Sequence, residues 1–411
     1  MNKNSITWLA LLLLIVVTAC TNSDYPDDDN FHEKWDYPLD FRIQGQGLLM
    51  TGSEKGYYFV NKDLIYYMDN NSKNPVLLDN RPDHRCLNKP DSSNCYAFIQ
   101  RDGGDTPAFI QYYDSKLYVL ESYWEKKNEP SEFNIGWKLS RMDPDGKNRK
   151  TFKTFGSRPN HVAIHRGYMY YSMMSADKDN VQTTKVVRSQ MEGKHKEEVI
   201  YERTGLDTNI TDIVPYGQQL YLNSWTDKGY QILRYDLETR EVTTVADRED
   251  EGGSTFLQDI NGQNLYFSYY YGIIEDERNR EVYTSNLRGE QINLLKLDDP
   301  LTISIFYKDN LYSYFRPLFA YAKDLPVGAP YDMAIYKDNE IIHRVNLTDL
   351  PKTMNFTITG DDKYMFLWYE DYEKTGYMIL DKGQIESGKA EFEPLLEVKR
   401  SKDKVKINDT D

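Results

Sequence analysis

The sequence predicts an all-β fold, a β-propeller of four-stranded antiparallel blades, on three observations: an aromatic strand that recurs along the chain, a turn pair in front of many of those strands, and a second hairpin downstream of each. Seven segments carry the repeat: 57–60, 117–120, 168–171, 220–222, 265–267, 311–313 and 364–367. Their central tyrosines, Tyr58, Tyr118, Tyr170, Tyr221, Tyr266, Tyr312 and Tyr364, stand 45 to 60 residues apart. That period suits propeller blades.

The turn pairs Asp114-Ser115, Asn261-Gly262, Lys308-Asp309 and Gly360-Asp361 each follow a strand-like run, so the unit opens with a hairpin. A second hairpin follows, as in 139–146, 188–193, 233–239 and 283–289. Two hairpins make a four-stranded sheet. A sheet of about 50 residues cannot bury both faces alone, and stacking such sheets around an axis buries them against one another. Seven repeats imply seven blades, with six and eight as alternatives because the first interval is long and the second hairpins of the last two repeats are irregular. A helical solenoid fits poorly, since no 3.6-residue period is sustained and Tyr, Thr and Val favour strands.

The N-terminus reads as a secretory signal. Lys3 precedes an apolar run, residues 6–17, which is too short for a membrane span of roughly 20 residues. The run ends in Val17-Thr18-Ala19-Cys20, which resembles the bacterial lipobox. That resemblance implies a diacylglyceryl group on Cys20, two acyl chains being enough for stable attachment where one is marginal. The expected location is the extracytoplasmic face of a bacterial cell membrane. The expected organisation is a signal peptide (1–19), a flexible acidic tether (20–40) rich in Asp, Asn and Pro, a propeller (41–399) and a polar tail (400–411). A flexible tether of that length would hold the body on the order of 25 Å from the bilayer.

Lys and Arg number 50 against 65 Asp and Glu, a net charge of -15. Such a chain repels nucleic acid, and none is expected as a partner.

The pieces Gly56-Tyr57-Tyr58-Phe59, Leu64-Ile65-Tyr66-Tyr67, Asn80-Arg81-Pro82-Asp83 and Cys95-Tyr96-Ala97-Phe98 resemble those of bacterial lipoproteins that carry a β-propeller of unknown function. These are similar in pattern to low-density-lipoprotein-receptor-type propellers, which are usually six-bladed. The resemblance spans 49–398 and implies architecture; it names no activity. In those lipoproteins the connection between the first two repeats is richer in cysteine, with a histidine nearby. Here Asp79 and His84 stand where cysteines are expected, and Cys86 stands where the histidine is.

Three readings remain open for that connection. Cys86 and Cys95 form a disulfide, which export to an oxidising face favours; or they join Asp79 and His84 around zinc; or they are free thiols. No cofactor is expected otherwise, and Asp143-Pro144-Asp145-Gly146, despite its calcium-loop composition, reads as a turn. Loops between a blade's middle strands and loops between blades share one face of a propeller. That face collects aromatics, and Trp124, Trp225, Tyr271, Arg316 and Trp368 are its candidate binding residues, against the alternative that they pack between blades. No nucleophile elbow, zinc-protease helix or phosphate-binding loop is present. The expected function is non-catalytic binding of an envelope peptide, protein or glycan. The alternative is a carbohydrate-active hydrolase or lyase working at the channel.

Overall fold

A computed structural model describes residues 25–43, 47–79, 81, 86, 95–102, 109–126, 133–193, 196–247, 253–270, 281–297, 303–307, 310–314, 332–347, 355–370 and 373–399. The signal sequence, Cys20, His84, Tyr271, Arg316 and the tail 400–411 lie outside the described residues. Among the described residues no helix is long and apolar enough to cross a membrane.

Four-stranded antiparallel sheets follow one another along the chain, spanning 50–77, 110–155, 159–205, 209–246, 254–295, 303–346 and 355–399, each with its strands adjacent in sequence order. First strands of neighbouring sheets touch between 50–77 and 110–155, between 159–205 and 209–246, and between 254–295 and 303–346. They therefore surround the axis, and the arrangement is a β-propeller. In six sheets side chains are described on all four strands, and these are six blades with packed faces. In the sheet 303–346 the two inner strands, Ile303–Tyr307 and Asn310–Tyr314, are described as backbone alone, placed by their ladder. The expectation of seven blades is therefore corrected to six: six sheets pack through side chains on all four strands, whereas 303–346 packs through its two outer strands, by Met333, Ile335 and Val345. Tyrosine spacing counts hairpins, and hairpins are not yet buried faces.

Most of the aromatic repeat is packing between blades. Phe59 meets Tyr377 at 4.9 Å and Tyr57 meets Phe366 at 5.1 Å between the first and last sheets, and Phe155 meets Tyr171 at 5.1 Å between the second and third. Rings at these separations contribute roughly 0.5–1.5 kcal/mol beyond their buried area. Buried polar residues on the first and second strands serve the next blade's backbone. Gln111 donates to Ile164 O (2.7 Å) and accepts from Ile164 N (2.9 Å), Ser172 donates to Ile210 O, and Asn223 accepts from Leu257 N. Each strap satisfies a backbone group that burial would otherwise leave without water.

The long first interval has its cause between the first two sheets. Cys86, Cys95, Ala97 and Ile99 are buried in one apolar cluster with Tyr58, Val60 and Ile65 on one side and Ile110, Leu117 and Val119 on the other. These described residues of the cysteine connection form a wedge in the core.

The expected tether also needs correction. From Tyr25 onward the chain is docked: Asp36, Tyr37, Leu39, Phe41, Arg42 and Ile43 are all buried. It crosses the inner strands and makes a short two-stranded ladder of its own, Arg42–Ile43 with Gly47–Leu48, before entering the first sheet. No described sheet mixes strands from the two chain ends. The ring closes by packing, with Tyr377 donating to Val60 O and Asn61 donating to Thr375 O, and the N-terminal segment braces it from within.

Candidate functional site: the channel and its two mouths

The inner strands all run in the same sense, so their ends define two mouths. At the mouth formed by the turns after the inner strands, the N-terminal segment is pinned by Arg166. Its guanidinium donates from Nε to Asp36 Oδ1 (2.6 Å), from Nη1 to Pro26 O (3.1 Å) and Asp28 O (2.5 Å), and from Nη2 to Asn30 O (2.6 Å) and Asp36 Oδ2 (3.0 Å). All five donors of the fork are used. Two glycines let the segment approach. Gly167 has φ +79° and faces the Tyr25 ring, and at Gly217, with φ +56°, a Cβ would stand 2.7 Å from the Asp29 Cα. Neither turn can take a side chain without displacing the segment.

Deeper in the channel His165 is fixed from both sides. Its Nδ1 accepts from Tyr37 N at 3.1 Å, and its Nε2 lies 2.8 Å from Gly217 O. That pairing defines a neutral ring protonated on Nε2, and burial pushes its pKa down to about 4 against the pull of Asp36.

A second cluster sits mid-channel. Arg42 donates to Asp212 Oδ2 (3.1 Å), Leu257 O (2.6 Å) and Gln258 O (3.1 Å), and His161 Nδ1 lies 3.2 Å from Asp212 Oδ1. The local cause is a β-bulge in three consecutive inner strands, between Pro159 and His161, Ile210 and Asp212, and Leu257 and Asp259. A bulge re-aims side chains and frees carbonyls, which is how Leu257 and Gln258 come to accept from Arg42. Burial holds the His161 imidazole below its usual range and raises the Tyr37 hydroxyl, and neither His161 Nε2 nor Tyr37 Oη has a protein hydrogen-bond partner. The charges here are matched to each other, and the cluster offers no activated nucleophile.

Acidic groups gather beside the last sheet. Asp361 accepts from Tyr57 Oη at 2.7 Å, and Thr359 Oγ1 donates to Asp40 O at 2.8 Å. Asp40 is exposed to solvent, and the protein crowded around its carboxyl, with Asp259 adding to the effect, holds it above the usual carboxylate range. Desolvation pushes the Lys382 amine down to about 7, against Asp361 and Asp40.

The opposite mouth carries the aromatics anticipated from sequence, though fewer of them. Trp225 is 37 % exposed and meets Tyr230 at a tilt of 60° (4.5 Å), and Tyr230 in turn meets Phe256 (4.8 Å) on the next inner strand. These rings form a run from the rim toward the channel. Nearby, Asn160 donates to Asn209 Oδ1 at 2.7 Å. Trp124 is 50 % exposed at the end of its strand. Trp368 is partly buried and packs against the apolar core.

The candidate zinc ligands do not form an open site. Cys86 and Cys95 are bonded to each other. An Asp79 carboxylate oxygen lies within 4.8 Å of both sulfurs, yet Asp79 accepts from Arg81 Nε (3.0 Å), Arg81 Nη2 (2.8 Å) and Tyr96 N (2.8 Å). Burial raises its carboxyl, and these hydrogen bonds outweigh that and hold it down to about 2. Thiolates joined as a disulfide cannot ligate zinc, and Asp79 instead ties the wedge to Arg81.

The sequence matches no family model and no curated protein. Among solved structures, the chain is similar to a puromycin-hydrolyzing peptidase of Mycobacterium tuberculosis at 11% identity, with TM-score 0.44, over 83% of this chain and 52% of that one. It is similar to prolyl endopeptidases at 11% identity, with TM-score 0.48, over 85% and 48%. It is also similar to the β-propeller domain of the Trilobed protease from Pyrococcus furiosus at 10% identity, with TM-score 0.46, over 72% and 84%. The chain spans about half the length of the first two. Likeness at this distance carries nothing about activity, and the architecture rests on the chain's own sheets.

Proposed function

We propose that the protein is a lipid-anchored, extracytoplasmic propeller that binds an envelope peptide, protein or glycan at the mouth opposite its N-terminal segment. One observation carries this reading: the segment is docked at one mouth, while the strand ends opposite present the run Trp225, Tyr230 and Phe256 and, on another blade, exposed Trp124. Flat, stiff rings with little rotamer freedom suit sugar faces and peptide side chains. The membrane attachment follows from the lipobox resemblance at Cys20.

The test is titration of the soluble body with fractionated envelope polysaccharide, peptidoglycan fragments and envelope proteins, using tryptophan fluorescence. Trp225→Ala should weaken binding by about 30-fold, the loss of a hot spot worth roughly 2 kcal/mol. Unchanged affinity in both Trp225→Ala and Trp124→Ala contradicts the proposal.

A second reading, a hydrolase or lyase in the channel, has one observation in its favour: the gathering of Asp40, Asp259 and Asp361 around Lys382, with Asp40 raised and Lys382 lowered. Cleavage products in the same incubations, lost in Asp40→Asn, move the assignment to that class.

A further inference from the structure

The first part of the N-terminal segment, from Tyr25 to Asp36, meets the propeller at one mouth, and where it starts fixes an orientation. Tyr25 packs edge-on against Trp35 at 4.9 Å and faces Gly167; Phe31 stacks on Tyr216 at 6.4 Å; Asp29 lies against Gly217. Arg166, Gly167 and Gly217 belong to turns that join an inner strand to the second strand of its sheet, and Tyr216 ends such an inner strand. These turns form one face of the disc.

Tyr25 is five residues after Cys20. Five residues, even fully extended, reach at most about 18 Å. The 20-residue tether expected from composition shrinks to that short leash, because everything from Tyr25 on is docked.

Resting on the lipid-anchor reading above, we propose that the lipid on Cys20 holds this inner-turn face against the bilayer and turns the Trp124 and Trp225 mouth away from it. The partner of the near face is the lipid surface. The leash sets the geometry and headgroup attraction does not, since Asp27, Asp28 and Asp29 leave this edge acidic. The far mouth stands off by a strand length. The second strand Tyr168–Ala176 has 9 residues, about 30 Å at roughly 3.3 Å per residue. A ligand at the aromatic mouth would therefore be met from the side of the envelope facing away from the anchoring membrane.

The experiment uses the full-length protein, processed and purified with its native N-terminus and reconstituted in phosphatidylcholine vesicles that carry a headgroup-labelled acceptor. Donor dyes are placed on a Gln263→Cys variant, at an inner turn of the near face, and separately on an Asp179→Cys variant, at a turn of the far face. Both positions are exposed. Energy transfer several-fold stronger from position 263 than from 179 is expected. Equal transfer, or stronger transfer from 179, overturns the orientation. The mass of the N-terminal peptide reads lipidation separately. An unmodified Cys20 defeats the anchor reading and this inference with it, whereas a lipidated Cys20 with equal transfer defeats the orientation alone.

Discussion

Arg166 and His165, adjacent in one turn, hold the N-terminal segment by different means. Arg166 and Asp36 are a buried ion pair with hydrogen bonds to spare, and losing the arginine leaves the Asp36 carboxylate buried and uncompensated, a change that costs about 3–5 kcal/mol in such pairs. A lysine could not replace a five-donor planar fork. His165 is the titratable member. Its neutral ring accepts the Tyr37 amide on Nδ1, so a proton there removes that bond, with Asp36 at 3.6 Å and Arg166 the charged groups facing it. The pKa in the fold is about 4 against 6.5 for the free side chain. Between those values the unfolded chain binds more protons than the native one. Stability from this residue is therefore complete above pH 6.5 and is lost as pH falls toward 4, by about 3 kcal/mol. Urea unfolding at pH 7 and pH 4 should show His165→Gln, which can donate and accept like the neutral ring, losing less on acidification by that amount. Equal losses in both proteins contradict the assignment. None of this was legible in the sequence. A histidine and an arginine in a turn look like surface residues until the segment that covers them is known.

At the scale of elements, strands and hairpins were readable and their partners were not. The Leu-Tyr-apolar repeats mark second strands because successive side chains point to opposite faces, so a strand packed on both faces of a blade needs consecutive apolar residues. The N-terminal segment was misread from its Asp-rich opening, although Trp35, Tyr37, Leu39, Phe41 and Ile43 alternate with polar residues and proline at the two-residue period of a half-buried extended chain. That alternation was the available signal. In the cysteine connection, Cys86 and Cys95 are held in the core by apolar burial, Asp79 and the disulfide, none of which their spacing discloses. Their bond closes a sequence separation of 9, for which loop entropy gives about 2.5 kcal/mol. Replacing Cys95 by Ser should lower unfolding stability by about that much. The native protein should gain two hydrogens in mass on reduction, and its stability should be unmoved by a chelator. A chelator-sensitive fold with no mass gain contradicts the disulfide.

At the scale of the whole molecule, the ring is closed without exchange of strands between its ends, and closure rests on packing between the first and last sheets. The N-terminal segment adds a second constraint from the axis. Arg42 ties it to the sheets 209–246 and 254–295, Arg166 to 159–205, and Thr359 to 355–399. A bracing element on the axis also decides which mouth is open, and through it the proposed ligand face and the orientation on the membrane. Whether the segment is docked is therefore the central claim. Native-state hydrogen exchange of the backbone amides of Trp35, Asp36 and Tyr37 tests it most directly, since each donates within the fold, to His32 O, His32 O and His165 Nδ1. Protection of Tyr37 comparable to that of the inner strands, and its loss in Arg166→Ala, is the result expected of a docked segment. Exchange of all three amides at the rate of an unstructured chain in the native protein would contradict it.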